Sequence, residues 1–196
     1  YSDSNLEIIE SKAFHKTGLK IVQIPQHVKR ICEKSFSLCF YLEEFHAVLN
    51  SELQIIEENV FSNTQIKKLS IPSSMVKFEE GWCQSTKDLT DIKIIKNQKE
   101  NIMYYDDKFI LGKSNLESDV FDILYFARRD VKTATIPEFI REIAPFAFER
   151  CNKLEIINIP SDSQLKIIGK DAFCSTTIKS ISIPLHLTSI CRGAFS

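Results

Sequence analysis

Six cysteines and four histidines are the residues of this chain with chemistry to offer. Thiols and imidazoles build zinc sites or nucleophile–base pairs when their spacing brings them to one point. Here the spacing suits neither use. There is no Cys-x-x-Cys pair, and no His stands at zinc-finger distance from a Cys. A Cys–His pair would also need an orienting third group and an oxyanion site, and nothing nominates them. Walker loops, GxGxxG, GxSxG and HExxH are all absent from the sequence. These residues therefore predict no catalytic centre, no cofactor and no metal. Net charge is −1, which leaves no field to attract nucleic acid or an anionic membrane. No apolar run reaches the roughly 20 residues of a bilayer-spanning helix.

The elements that carry these residues repeat. Leu154–Phe173, LEIINIPSDSQLKIIGKDAF, holds one complete unit: Leu-x-x-Ile-x-Ile-Pro, a polar link, Leu-x-Ile-Ile and an Ala-Phe pair. The apolar residue before the proline position recurs at Ile24, Ala47, Ile71, Ile94, Ile136, Ile159 and Ile183, with spacings of 23, 24, 23, 42, 23 and 24. A second mark runs in parallel at Phe14, Phe36, Phe61, Cys83, Phe148, Phe173 and Phe195, each five residues after Ile9, Ile31, Ile56, Phe78, Ile143, Ile168 or Ile190. Two marks in one phase predict a solenoid with a period in the leucine-rich-repeat range.

Each coil then follows from local chemistry. The x-Ile-x-Ile segment alternates with period two and is rich in β-branched residues, so it predicts a short strand. Proline ends the strand because it has no N–H for the ladder. The Ile-Gly-x-x-Ala-Phe part predicts a short extended piece and one helical or 3₁₀ turn that points Phe inward. One coil alone cannot offset the entropy of ordering its residues, so stability must come from stacking. The expected fold is an α/β repeat solenoid: a right-handed superhelix of about seven coils with one main parallel sheet. Its strands should contain Ile21, Glu44, Lys68, Asp91, Thr133, Ile156 and Ser180, and residues 1–196 should form one domain.

The repeat unit resembles the BspA-like, Treponema-type leucine-rich repeat, most closely in Phe139–Pro160, FIREIAPFAFERCNKLEIINIP. Val48 and Ile95 depart from that pattern in place of proline, and Cys83 in place of Phe. The resemblance implies a protein of bacterial or protozoan-parasite cell surfaces, engaged in adhesion to host proteins or other cells. A non-enzymatic interaction module, on the surface or secreted, with a protein or glycan ligand is the expectation. The alternative is an intracellular scaffold for protein–protein assembly. Free thiols and the lack of any Asn-x-Ser/Thr sequon favour the latter.

Repeat phase then sorts the polar residues. Cys39 and Cys151 share one phase, and Cys32 and Cys191 another, so these partners lie several coils apart, beyond disulfide reach. Cys151 and Cys174, on adjacent coils, come nearest, and whether they pair stays open. His27 and His186 fall in loops after Ile-Pro, His46 on an outward strand position and His15 just after a Phe. Lys20–Glu43–Lys67 and Lys132–Glu155–Lys179 predict alternating charge ladders across neighbouring strands.

The long interval is an insertion over 96–130. Lys108–Gly112 and Asp122–Phe126 carry β-formers around a Ser/Asn/Asp stretch, which predicts a hairpin. It reads first as part of the scaffold. The other reading is a grafted binding feature, because Tyr104, Tyr105, Tyr125, Arg128 and Arg129 concentrate interface-type residues. The chain opens and closes in mid-repeat, so we expect it to belong to a longer array. Apolar layers near Leu6 and Ile9 and near Ile190 and Phe195 should then be exposed, with end-to-end pairing of copies at high concentration.

Overall fold

The structure is a computed structural model that describes residues 4–196. The chain divides into two compact units, Tyr1–Met103 and Tyr104–Ser196.

In the first unit two kinds of strand alternate along the chain. The short ones are β1 (Ile8–Ile9), β3 (Arg30–Ile31), β5 (Ile55–Ile56) and β7 (Lys77–Phe78). The longer ones are β2 (Ile21–Ile24), β4 (Glu44–Ala47), β6 (Lys68–Pro72) and β8 (Asp91–Ile95). Each kind forms its own four-stranded sheet, in the orders β1-β3-β5-β7 and β2-β4-β6-β8. All pairs are parallel, and Ile21, Glu44, Lys68 and Asp91 are cross-strand partners in succession. One repeat advances the chain by one strand spacing, so residues of equal phase become neighbours. The unit is a β-solenoid.

Two features differ from the sequence reading. The first is that the short extended pieces also pair from coil to coil, so each unit has two sheets instead of one main sheet. The second is that no helix occurs among the described residues. Where a helical or 3₁₀ turn is expected, the N–H groups alternate in direction. Ala13, His15 and Thr17 close local turns onto Glu10, Lys12 and Phe14 at 3.1, 3.0 and 3.2 Å. Lys12, Phe14 and Lys16 instead donate to Glu33, Ser35 and Ser37 on the next coil, at 3.1, 2.8 and 3.0 Å. A helix keeps its N–H groups for itself, and this ladder sends every second one outward. The left-handed φ of 59° and 60° at Lys12 and Lys16 makes the alternation possible, as in turns with a positive third residue. Phe146 and Arg150 repeat the pair at 62° and 58°.

The insertion starts at the end of the first unit and continues into the second. β9 (Ile102–Tyr105), β10 (Phe109–Gly112) and β11 (Ile123–Ala127) stand side by side in one sheet. The hairpin predicted from the sequence is the antiparallel β10–β11 pair, with a bulge between Ile110 and Leu111. A further two-residue turn joins β9 to β10: Lys108 N–H donates to Tyr105 O at 3.0 Å across Asp106 and Asp107, at φ 51° and 49°. Positive φ at both central residues is the hairpin-favouring geometry. β11 then pairs in parallel with β13 (Glu142–Ile143), which passes the ladder to β15 (Ile167–Ile168) and β16 (Ser189–Ile190).

β12 (Thr133–Thr135) and β14 (Ile156–Asn158) form the long-strand sheet of this unit, with Thr133 opposite Ile156. The strand expected around Ser180 does not form. Residues 176–184 run without a ladder, and Thr177 Oγ1 donates to the Leu154 carbonyl at 2.8 Å.

The cores are aromatic stacks at the second repeat mark. Phe36 stacks on Phe14 and Phe61 at 5.1 and 5.9 Å. Where Cys83 replaces Phe, Trp82 supplies the ring, edge-on to Phe61 at 6.5 Å. In the second unit Phe173 lies between Phe148 and Phe195 at 4.8 and 5.1 Å. Leu6, Ile190 and Phe195 are exposed as expected, whereas Ile9 is buried.

Candidate functional site

Tyr104 and Tyr105 lie on β9, the edge strand of its sheet, and both are half-buried. Successive residues of a strand face opposite ways, so the two rings serve different faces. Tyr104 donates its hydroxyl to Asp107 O at 3.0 Å, and burial pushes its phenol up from the usual value. Tyr105 meets Phe139 edge-on, with centroids 6.0 Å apart.

Arg128 closes this corner. Its Nε and Nη2 donate to the two Asp130 carboxylate oxygens at 2.7 and 2.9 Å, and Nη1 donates to Asp107 Oδ2 at 3.0 Å. The hydrogen bond to Asp130 raises the guanidinium further and lowers the Asp130 carboxyl. A fork held by two carboxylates fixes the Asp106–Asp107 turn in place. The structure thus brings Tyr104 and Arg128 together at one hairpin end.

Tyr125 is half-buried on β11, two strands from β9. Its phenol is pushed up to about 12, first by burial and then by Glu142 and Asp122. Glu142 is itself raised, by burial and by the Asp122 charge. Asp122 pins the base of the hairpin loop, accepting from Ser114 N–H and Oγ–H at 2.8 and 2.7 Å.

Arg129 points the other way. It is 3% exposed, donates to Ala147 O at 3.0 Å and Phe146 O at 3.4 Å, and covers the Phe126 ring at 4.3 Å. Its partners make it a strut beneath the surface.

The long-strand sheet of the first unit presents a second surface. Ile21, Glu44, Lys68 and Asp91 form an outward row that the sequence reading passed over, although the period-two alternation of each strand marks it. Lys68 Nζ reaches Glu44 Oε1 at 2.9 Å, and His46 bridges Glu44 Oε2 at 2.9 Å and Ser70 Oγ at 3.3 Å. Those bonds, from Lys68 first and His46 second, hold the Glu44 carboxyl below the usual range. The expected ladder one residue earlier contributes Lys67–Glu43 at 3.3 Å. In the second unit Lys132, Glu155 and Lys179 line one shallow hollow with Asn152, Lys153 and Thr177.

All six cysteines are free thiols, Cys151 and Cys174 included. Among the described residues no three His, Cys, Asp or Glu side chains are grouped to hold a metal ion. No helix among them is long and apolar enough to cross a membrane.

Stacked coils, paired parallel strands and an open polar sheet face define a leucine-rich repeat protein. Residues 7–124 and 119–196 match the BspA type leucine rich repeat region, in 6 copies, and the chain belongs to that family. Two solved structures resemble it at 22% identity. One is the pneumococcal vaccine antigen PcpA, at a TM-score of 0.78 over 94% of this chain and 44% of its own. The other is a leucine-rich cell surface protein from Faecalibacterium prausnitzii, at 0.72 over 95% and 53%. A leucine-rich repeat protein from Bacteroides ovatus aligns at 17% identity with a TM-score of 0.55, over 94% and 49%. The chain therefore spans about half the length of these proteins, and the likeness is one of fold. A search of curated proteins finds no match.

Proposed function

We propose that this chain is a non-enzymatic interaction module, one repeat domain over 1–196, in a surface-exposed or secreted protein that adheres to a protein or glycan ligand. The observation that carries this reading is the insertion: a regular repeat array is interrupted once, and the interruption includes an edge strand with two half-buried tyrosines, Tyr104 beside Arg128, whose guanidinium is itself held by Asp107 and Asp130. A rigid aromatic corner loses little entropy on binding, which suits a contact surface. Tyr104, Tyr105, Tyr125 and Arg128 form the proposed contact, and Arg129 supports it from below. The family, and the likeness to a leucine-rich cell surface protein, support the location.

The test uses labelled chain on cultured animal cells, with and without protease stripping of their surface. Binding that is saturable, lost on stripping, and reduced by Tyr125→Ala, Arg128→Ala or deletion of 113–121 supports the site. Unchanged binding in all three folded variants moves it elsewhere. The six free thiols and the absent glycosylation sequon favour a second reading, an intracellular scaffold. Fractionation of the native protein separates the two. Copies of the chain pairing end to end through the exposed Leu6 and Phe195 layers would appear as mass that rises with concentration.

A further inference from the structure

At the proline position the long strands of the first unit meet Pro25, Val48, Pro72 and Ile95, so two of the four lack the proline. Both exceptions lead into unusual turns. After Val48 the chain passes through Leu49 and the left-handed Asn50, at φ 64°. After Ile95 it folds back over its neighbours. Asn97 N–H donates to Ser73 Oγ at 2.9 Å, and its side-chain amide donates to Ser74 Oγ at 3.1 Å and to Ser51 O at 2.9 Å, a residue 46 positions earlier. Ser73 Oγ in turn donates to Lys99 O at 2.8 Å. Segment 96–99 is thereby held as a wall bonded to the turns of the two preceding coils.

A groove of about 870 Å³ lies between this wall and those turns. Among the described residues no hydrophobic side chain lines it. Gln26, Asn50, Gln54 and Gln98 present carboxamides that no hydrogen bond within the described residues engages. Lys96 and Lys99 line it without an ion pair among the described residues, while its one acid, Glu52, is bound to His27 at 2.9 Å. Small-molecule sites are mostly apolar, and this one is not. Sugar rings and nucleobases seek aromatic platforms, and the lining has none. Each carboxamide offers a donor and an acceptor side by side, which matches the N–H and C=O of an extended peptide. From the Gln26 turn to the Lys96 turn the groove crosses three strand spacings of about 4.8 Å, roughly 14 Å, the length of about four extended residues.

We propose that this groove binds an extended, acidic segment of a partner polypeptide. Gln26, Asn50, Gln54 and Gln98 bond its backbone, Lys96 and Lys99 meet its carboxylates, and Asn97 positions the wall. The proposal rests on the interaction-module reading but not on the contact proposed at Tyr104, Tyr105, Tyr125 and Arg128, which lies in the other unit.

The test titrates the whole chain, by heteronuclear NMR, with the blocked peptide Gly-Ser-Glu-Ser-Glu-Gly. Its counterpart with Lys for Glu and an uncharged glucose hexasaccharide serve as rival probes. The acidic peptide should shift the side-chain amides of Gln26, Asn50, Gln54 and Gln98 saturably. The double variant Lys96→Ser, Lys99→Ser should weaken it by about tenfold at low salt, with an unchanged urea midpoint. Gln54→Ala with Gln98→Ala should weaken both peptides alike, and Asn97→Ala should abolish binding by releasing the wall. Tyr125→Ala and Arg128→Ala should leave peptide binding intact, which separates this groove from the tyrosine–arginine contact. Absence of a saturable shift at millimolar peptide, equal affinity for the lysine peptide, or preference for the hexasaccharide would each overturn the proposal.

Discussion

Phe148→Ala removes a central ring from the aromatic stack of the second unit. Phe148 is fully buried, lies 4.8 Å from Phe173 at 17° between planes, and meets Phe109 edge-on at 5.8 Å. Truncating a buried Phe costs about 3–5 kcal/mol through lost transfer energy and the cavity left behind. Two ring neighbours, each worth about 0.5–1.5 kcal/mol beyond area, place this site in the upper part of that range. Phe195 occupies the same repeat phase but is 40% exposed, with a stacked neighbour in Phe173 at 5.1 Å. Its truncation should cost less than half as much, about 1–2 kcal/mol. Lys132→Ala, at an exposed position, should cost under about 1 kcal/mol. Urea titration by far-UV circular dichroism reads all three. With a slope of about 2–3 kcal/mol/M, Phe148→Ala lowers the midpoint by more than about 1 M, and Lys132→Ala by less than about 0.5 M. Similar midpoints for those two variants would mean that the repeat phase assigns the wrong residues to the interior.

Glu142→Gln should stabilise the chain at neutral pH. Burial and Asp122 raise the Glu142 carboxyl, so the folded state binds its proton more tightly than the unfolded state does. Stability therefore falls as pH rises from the usual glutamate range, about 4.3, through the raised value, and the Gln variant should lose that slope in thermal melts. Gly169→Ala should destabilise, since an added Cβ would stand 2.5 Å from Pro145 N, 2.7 Å from Ala144 C and 2.8 Å from Ile143 O. These are backbone atoms of the preceding coil, and a lowered melting temperature checks it; an unchanged one would show that the coils can separate there. Thiol labelling of the native chain should modify the half-buried Cys32, Cys174 and Cys191 first. Cys39, Cys83 and Cys151 should react only on unfolding, with six labels in denaturant without reductant.

How much of this was legible in advance depends on the range of the interaction. The pairing of Ile21 with Glu44, Lys68 and Asp91 follows from the period alone, because a constant repeat length stacks equal phases. The inward Phe series follows likewise, whereas the β10–β11 hairpin, where the period breaks, follows from two runs of β-formers around a turn-rich stretch. The Asp106–Asp107 turn had its signal in plain view: two residues tolerant of left-handed backbone between runs of β-formers. Other features have no local mark. Lys12, Lys34 and Phe146 are poor left-handed residues by type, and they adopt that backbone because alternate N–H groups bond the neighbouring coil. Arg128 and Arg129 are chemically alike and adjacent. The carboxylates of Asp107 and Asp130 hold one at the surface, and the carbonyls of Phe146 and Ala147 draw the other inside. The groove wall depends on Asn97 reaching Ser51 across two coils. Period and phase are properties of the chain read along its length, so the sequence by itself determined the coil, its strand register and its buried stack. Which way a side chain turned, and what stood opposite a carbonyl, was decided by atoms on other coils, and only the tertiary structure sets those side by side.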